Sequence, residues 1–189
     1  MKTFTRLVVI IAAFIALASC ALLENFNHKP SEITALEKAP KLNVKNFFNG
    51  DVEVFAITQD EQGKLIGSFT AKMNGKWEDS KGVLQQNFIS ESGKKDSRTW
   101  LVTIDSDGTF DAVGHDVVTP VKGKQIGNAM QMIYTLALSE NGVKRNVDYE
   151  DNFYLIDERS AIAISTIRKN GMPFGKSIIS YKKVSKIDQ

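Results

Sequence analysis

The sequence predicts an all-β domain: an antiparallel meander of eight to ten short strands closed into a barrel, preceded by a short helical or irregular N-terminal segment. Three observations carry that expectation. After Asn43, apolar residues recur at every second position in short runs, the period of half-buried strands. Turn-forming pairs such as Asn141-Gly142 and Asn170-Gly171 separate the runs, because both of their residues tolerate positive φ. No long amphipathic helix interrupts the series.

At the start of the chain stand Lys2 and Arg6, then an apolar run of 12 residues from Leu7 to Ala18, then Cys20. That run is short of the ~20 residues needed by a membrane-spanning helix. It fits the ~7–15-residue core of an export signal behind positive charge. Its ending, Leu17-Ala18-Ser19-Cys20, resembles the lipobox of bacterial lipoproteins at every position. The resemblance implies that residues 1–19 are a signal peptide and that Cys20, freed from Ser19, carries a diacylglyceryl thioether and an N-acyl chain such as palmitate. Two chains already anchor stably, since each buried methylene adds ~0.8 kcal/mol. Ala21 follows in place of the Asp of retained lipoproteins, which implies the outer membrane, with the domain facing the periplasm.

Removing residues 1–19 leaves 170 residues, suited to one domain. Lys2 and Arg6 leave with the signal, so 22 basic side chains face 22 acidic ones and no nucleic-acid footprint remains. Cys20 is the single cysteine, and lipid consumes its sulfur, so disulfides and thiol chemistry are excluded.

Residues 20–42 are polar, broken by Pro30 and Pro40, and read as a lipid-anchored tether reaching roughly 25–30 Å. Within it, Ser31 to Lys38 has the length for two helical turns with Ser31 as cap. The alternative is that this stretch packs against the domain. Residues 43–189 then form a single barrel domain. Val52, Val54 and Ala56 alternate with Glu53 and Phe55; Trp100, Val102 and Ile104 alternate with Leu101 and Thr103. Met130, Met132, Tyr134, Leu136 and Leu138 share one face of the longest run. Val143, Arg145, Val147 and Tyr149 alternate again, as do Ile162, Ile164 and Thr166. Turns are expected at 60–63, Asn74-Gly75, 80–82, Ser92-Gly93, Asp107-Gly108, Lys122-Gly123, Asn141-Gly142 and Asn170-Gly171.

A meander of this length exposes two sheet edges unless it closes, and closure removes them. The expected architecture is therefore a lipocalin-like (calycin-type) up-and-down barrel, with a two-sheet sandwich as the alternative. A membrane-spanning barrel needs an apolar outer band. Gln85, Gln86 and Asn87, and the charged run from Gly142 to Tyr149, argue against one.

An ordered set of short motifs runs through the mature chain. It begins with Phe47-Phe48-Asn49-Gly50, Gly67-x-Phe69, Asn74-Gly75-Lys76-Trp77, Gly82-x-Leu84 with Phe88, and Arg98-x-Trp100. Gly114-x-Asp116-Val117, Gly123, Gly127-Asn128-Ala129 and Tyr134 follow, then Asp151-x-Phe153-Tyr154-Leu155-Ile156-Asp157 and Lys169-x-Gly171 with Gly175. In this order the chain resembles the bacterial lipoproteins grouped as DUF3833, a domain of unknown function. The resemblance implies an envelope lipoprotein and brings no activity with it. Asn152 stands where Trp is expected, Gln86 where an acid is, and Ala163 where Asn is.

Catalytic signatures are absent from the sequence. His28 lies in the tether, and His115 is followed by Asp116, which points to the opposite face of a strand. Asp105-x-Asp107-Gly108 lacks the remaining calcium ligands, having Thr103 and Gly114 in their places. Asp148, Glu150, Asp151, Asp157 and Glu158 read as a solvated face and turn, so neither a metal nor a cofactor is expected.

What remains is pocket chemistry, because barrels of this size can hold one small ligand. The candidate lining is Arg98, Trp100, Asp116, Asn128, Met132, Tyr134, Asp151 and Tyr154. Met and aromatic groups beside one Arg suit an amphipathic ligand with an acidic head, such as a fatty acid. In the plainer reading the apolar groups fill a dry core while Arg98 pairs with Asp116 or Asp151. The leading expectation is a non-enzymatic lipoprotein that binds or carries a lipophilic small molecule. An envelope assembly factor with an unknown protein partner, and a lipid-acting enzyme using Arg98, His115, Asp116 or Asp151, are the alternatives.

Overall fold

The computed structural model describes residues 31–140 and 142–184, so the signal segment, Cys20 and the first part of the tether lie outside the described residues. A single-turn helix, α1 (Val44–Phe47), precedes ten strands. These are β1 (Gly50–Asp60), β2 (Leu65–Glu78), β3 (Lys81–Ser90), β4 (Lys95–Ile104) and β5 (Thr109–Val113), then β6 (Val121–Ile126), β7 (Ala129–Glu140), β8 (Val143–Asp157), β9 (Ser160–Lys169) and β10 (Met172–Lys183). Every strand pairs with its sequence neighbour, and β1 closes on β10 from Val52↔Lys183 to Asp60↔Gly175. The predicted lipocalin-like meander is therefore a closed ten-stranded antiparallel barrel.

Alternation puts Val52, Val54 and Ala56 of β1 inside with Ala71 and Met73 of β2, while Phe55 and Ile57 face out. In β9 the expected apolar face is reversed. Ile162 and Ile164 are exposed, and Ala161, Ala163, Ser165 and Ile167 point inward and are buried. Small side chains are needed there because Phe153 and Tyr181, on the two flanking strands, crowd the interior with ring centroids 5.2 Å apart.

Hairpin turns lie at Asp60–Gly63, Ser92-Gly93, Asp107-Gly108 and Asn170-Gly171 as expected, the last with φ of 52° and 74°. Two other dipeptides read as turns lie within strands instead. Asn74-Gly75 continues β2, paired with Gln85 and Leu84, and Lys122-Gly123 lies inside β6. Both glycines answer close packing. A Cβ on Gly75 would sit 1.7 Å from the Phe48 carbonyl oxygen, and one on Gly123 would meet the Phe110 ring at 2.1 Å. The turn expected at 80–82 is centred on Asp79-Ser80, with Lys81 and Gly82 already opening β3.

The segment before the barrel also departs from expectation. Ser31 to Lys38 forms no helix. Ile33 and Leu42 are buried, the Leu36 N–H donates to Asn128 Oδ1 (2.9 Å), and the Leu42 N–H donates to the Gly127 carbonyl (2.9 Å). Two apolar anchors and two backbone hydrogen bonds outweigh a helix that would have had no stripe to bury. The helical turn comes later, at α1, where Asn43 caps by accepting from the Asn46 N–H (2.9 Å).

Helix α1 closes one end of the barrel. Phe47 and Phe48 pack on Phe153 with centroids 5.4 and 5.6 Å away, and Phe48 meets Tyr181 edge-on. Lys183, at the end of β10, donates its ammonium to the carbonyls of Asn46, Phe47 (3.1 Å) and Asn49 (2.9 Å). A cation on carbonyls left without intrahelical partners is the favourable arrangement for a helix C-terminus. The opposite end carries the β1–β2, β3–β4, β7–β8 and β9–β10 turns.

Candidate ligand-binding cavity

The barrel is not filled. Between the α1 floor and the far turns lies a cavity of about 540 Å³, within the roughly 300–1,000 Å³ of small-molecule sites. Val44 and Phe48 form its base, and Leu138, Arg145, Lys169 and Phe174 line the far end. One wall is apolar, built by Met73, Leu84, Val102, Phe110 and Met130. A polar arc made by Thr58, Ser177, Ser165 and Asp151 runs across β1, β10, β9 and β8. Thr58 and Ser177 share a hydrogen bond of 2.8 Å.

Arg98 enters from β4. Its Nε lies 3.0 Å from both carboxylate oxygens of Asp116 and its Nη2 lies 2.6 Å from Oδ2, a bidentate ion pair with both side chains largely shielded. The guanidinium also sits over the rings of Phe88 (5.5 Å) and Trp100 (5.3 Å). Asp116 reaches it because the β5–β6 connection folds along β7. The Ala137 N–H donates to the Asp116 carbonyl (2.8 Å), the Val118 N–H donates to that of Thr135 (2.9 Å), and Val117 bridges to Leu136. Gly114 keeps that connection close, since a Cβ there would lie 3.2 Å from the Thr99 carbonyl oxygen.

A second polar cluster lies deeper. The Tyr134 hydroxyl donates to Asp151 Oδ2 (2.8 Å), its ring stacks on Tyr149 (5.2 Å, 11°), and it meets Trp100 edge-on at 5.7 Å. Trp100 Nε1 donates to Gln86 Oε1 (2.8 Å). Asp151 is buried, and its Oδ1 has no hydrogen-bond partner. An unsatisfied polar atom of this kind costs about 1–3 kcal/mol, and more when charged. Burial pushes the Asp151 carboxyl above its ordinary value, against the opposing pull of the Ser165 and Tyr134 hydroxyls and the Arg98 charge. Burial likewise raises Tyr149 to about 12, and raises Tyr134 and Tyr181 with the Asp151 charge adding to both.

Of the residues expected at a site, Arg98, Trp100, Met132, Tyr134 and Asp151 line the cavity, and Asp116 holds Arg98. Asn128 does not reach it. It lies in the β6–β7 turn, where Oδ1 accepts from Leu36 and Nδ2 donates to the Leu155 carbonyl (3.1 Å), so it fastens the N-terminal segment. Tyr154 is opposite in phase to Asp151 and Phe153 on β8 and lies on the outer wall beside Ile162. His115 is exposed and outside the lining.

The acidic stretch divides: Asp157 and Glu158 are exposed at the β8–β9 turn as expected, but Asp151 is inside, and Glu150 is buried where Gln131 Nε2 approaches it at 3.5 Å. Gln86, Phe88, Tyr149, Ser165 and Ser177 are lining residues that the sequence reading did not select. The face of β8 carrying Val147 and Tyr149, continued to Asp151 and Phe153, contains the signal for Tyr149. Gln86 and Ala163, two of the three departures from the expected motif pattern, both line the cavity, while Asn152 lies in the outward phase of β8.

Fold and cavity define a class: closed antiparallel barrels with an interior chamber. The chain belongs to the DUF3833 family, described as a protein of unknown function, whose model matches residues 17–183. No curated protein matches it in sequence. Among solved structures it is similar to an S-type phycobiliprotein lyase from Guillardia theta, with 7% identity and a TM-score of 0.54 over 77% of this chain and 94% of that one. It is also similar to a DUF3598 protein of unknown function from Nostoc punctiforme, with 12% identity and a TM-score of 0.53 over 77% of this chain. The chain spans 50% of the length of that DUF3598 protein. At these identities the likeness is one of fold.

Proposed function

We propose that the protein is a non-enzymatic lipoprotein, anchored through acylated Cys20 at the outer membrane, whose barrel binds or carries a lipophilic small molecule in the periplasm. The observation that carries this reading is the cavity of about 540 Å³, walled by methionine, aromatic and aliphatic side chains inside a closed barrel. Apolar surface lining a chamber of that size gains free energy by enclosing an apolar molecule, at about 25 cal/mol per Å² removed from water. The likeness in fold to a phycobiliprotein lyase is consistent with a ligand-binding role. The Arg98–Asp116 pair and the Trp100–Gln86 bond fix wall side chains to one another, which lowers the ordering cost of binding.

Native mass spectrometry of delipidated protein refolded with an envelope lipid extract tests the reading. A discrete adduct of lipid mass is expected. Recovery of empty protein alone, under conditions that preserve the fold, would count against it.

A further inference from the structure

Two buried side-chain polar atoms among the described residues have no hydrogen-bond partner, Trp77 Nε1 and Asp151 Oδ1, and of these two residues Asp151 is the one that lines the cavity. Asp151 is 4% exposed, and its other oxygen is already occupied by the Tyr134 hydroxyl at 2.8 Å. The oxygen left over is an acceptor within a largely apolar chamber. Beside it in register stands Ser165, then Ser177 and Thr58, hydroxyls able to accept as well as donate.

Arg98, the cation whose charge acts on Asp151, is held by Asp116 in a bidentate pair, so the two side chains together present no net charge. The cations at the far end, Arg145 and Lys169, lie beside the β7–β8 and β9–β10 turns, and the Lys169 ammonium sits 3.9 Å from the Phe174 ring centroid. A carboxylate head placed deep in the chamber would meet a second carboxyl there. A hydroxyl or amine would meet an open acceptor.

We infer that the cavity selects an apolar molecule bearing a hydrogen-bond donor, a hydrophobic alcohol or amine, and that it binds with this donor turned inward onto Asp151 Oδ1. This rests on the reading of the barrel as a small-molecule carrier and reverses the acidic head group that a lone Arg on the sequence would suggest. A fatty acid that did enter would have to turn its head toward Arg145 and Lys169 at the far end.

The test uses the mature chain and diphenylhexatriene, a hydrocarbon fluorophore without donors, as the occupancy probe. Dodecanol, dodecylamine, dodecanoate and dodecyl methyl ether compete for it at about pH 8. The alcohol and amine are expected to displace the probe at concentrations roughly tenfold lower than the ether or the acid, a gap of about 1.4 kcal/mol. In Asp151→Asn the amine is expected to lose most of that advantage over the ether, each competitor being compared with the others on the same variant. Equal displacement by all four, or a preference for dodecanoate, overturns the inference and leaves the carrier reading standing. Failure of the native protein to take up the probe overturns both. Should Asp151→Asn not fold, the ranking on the native protein decides alone.

Discussion

Asp151 enters the barrel with Tyr149 and Phe153 because alternate residues of β8 face inward, and the Tyr134 hydroxyl donates to one oxygen of its carboxylate at 2.8 Å. Burial holds a proton on the folded carboxyl at pH values where the unfolded chain, titrating near 3.8, has lost it. The folded state therefore binds more protons in the window above 3.8, and stability falls as pH rises through it. Asp151→Asn keeps the shape and removes the charge. In urea denaturation it should match the native protein near pH 4 and exceed it at pH 8, because only the native chain loses stability as its carboxyl ionises. A difference that does not change with pH would contradict the account. Pairing of Arg98 with Asp116 was one of the two readings open on the sequence, and the path of the β5–β6 connection decided for it.

At the scale of elements, α1 depends on contacts distant in sequence. Gly75, in mid-β2, leaves room for the Phe48 carbonyl, and Lys183 at the end of β10 holds the helix carbonyls. Gly75→Ala should displace the floor and cost about 2–3 kcal/mol, typical of overpacking at a site that cannot yield because the obstructing atom belongs to the backbone. Chemical denaturation measures the loss, and a variant as stable as the native chain would show that the floor is not held there. The strands were legible from their period, but Asn74-Gly75 and Lys122-Gly123 were not legible as strand. A dipeptide looks the same whether its glycine serves a turn or a close approach, and the partner atoms of Phe48 and Phe110 come from elsewhere in the chain.

For the molecule as a whole, the proposed anchor and the chamber are separable, because the cavity is built by residues from Val44 onward and the lipobox-like sequence ends at Cys20. Expressed with its full leader, Cys20→Ala should lose palmitate label and leave the membrane fraction, while the released protein binds diphenylhexatriene like the native one. Retention on the membrane without the label would contradict anchoring by that cysteine. Closure of β1 on β10 gives both terminal strands a partner, so the barrel presents no long unpaired edge.

The sequence by itself determined the class of fold and the family. Alternation with period two is a local property of each strand, a meander of that many strands must dispose of its two edges, and the ordered motifs run from Phe47 to Gly175. Tertiary structure alone decided what the interior contains. Asp151 and Glu150 are adjacent acids that read alike, yet the pleat sends the first into the cavity and leaves the second on the opposite face. Ser165 and Ser177 join Asp151 because β9 and β10 pair in one particular register. That register belongs to the closed barrel as a whole, since a slip of one residue in any strand would turn its inward set outward.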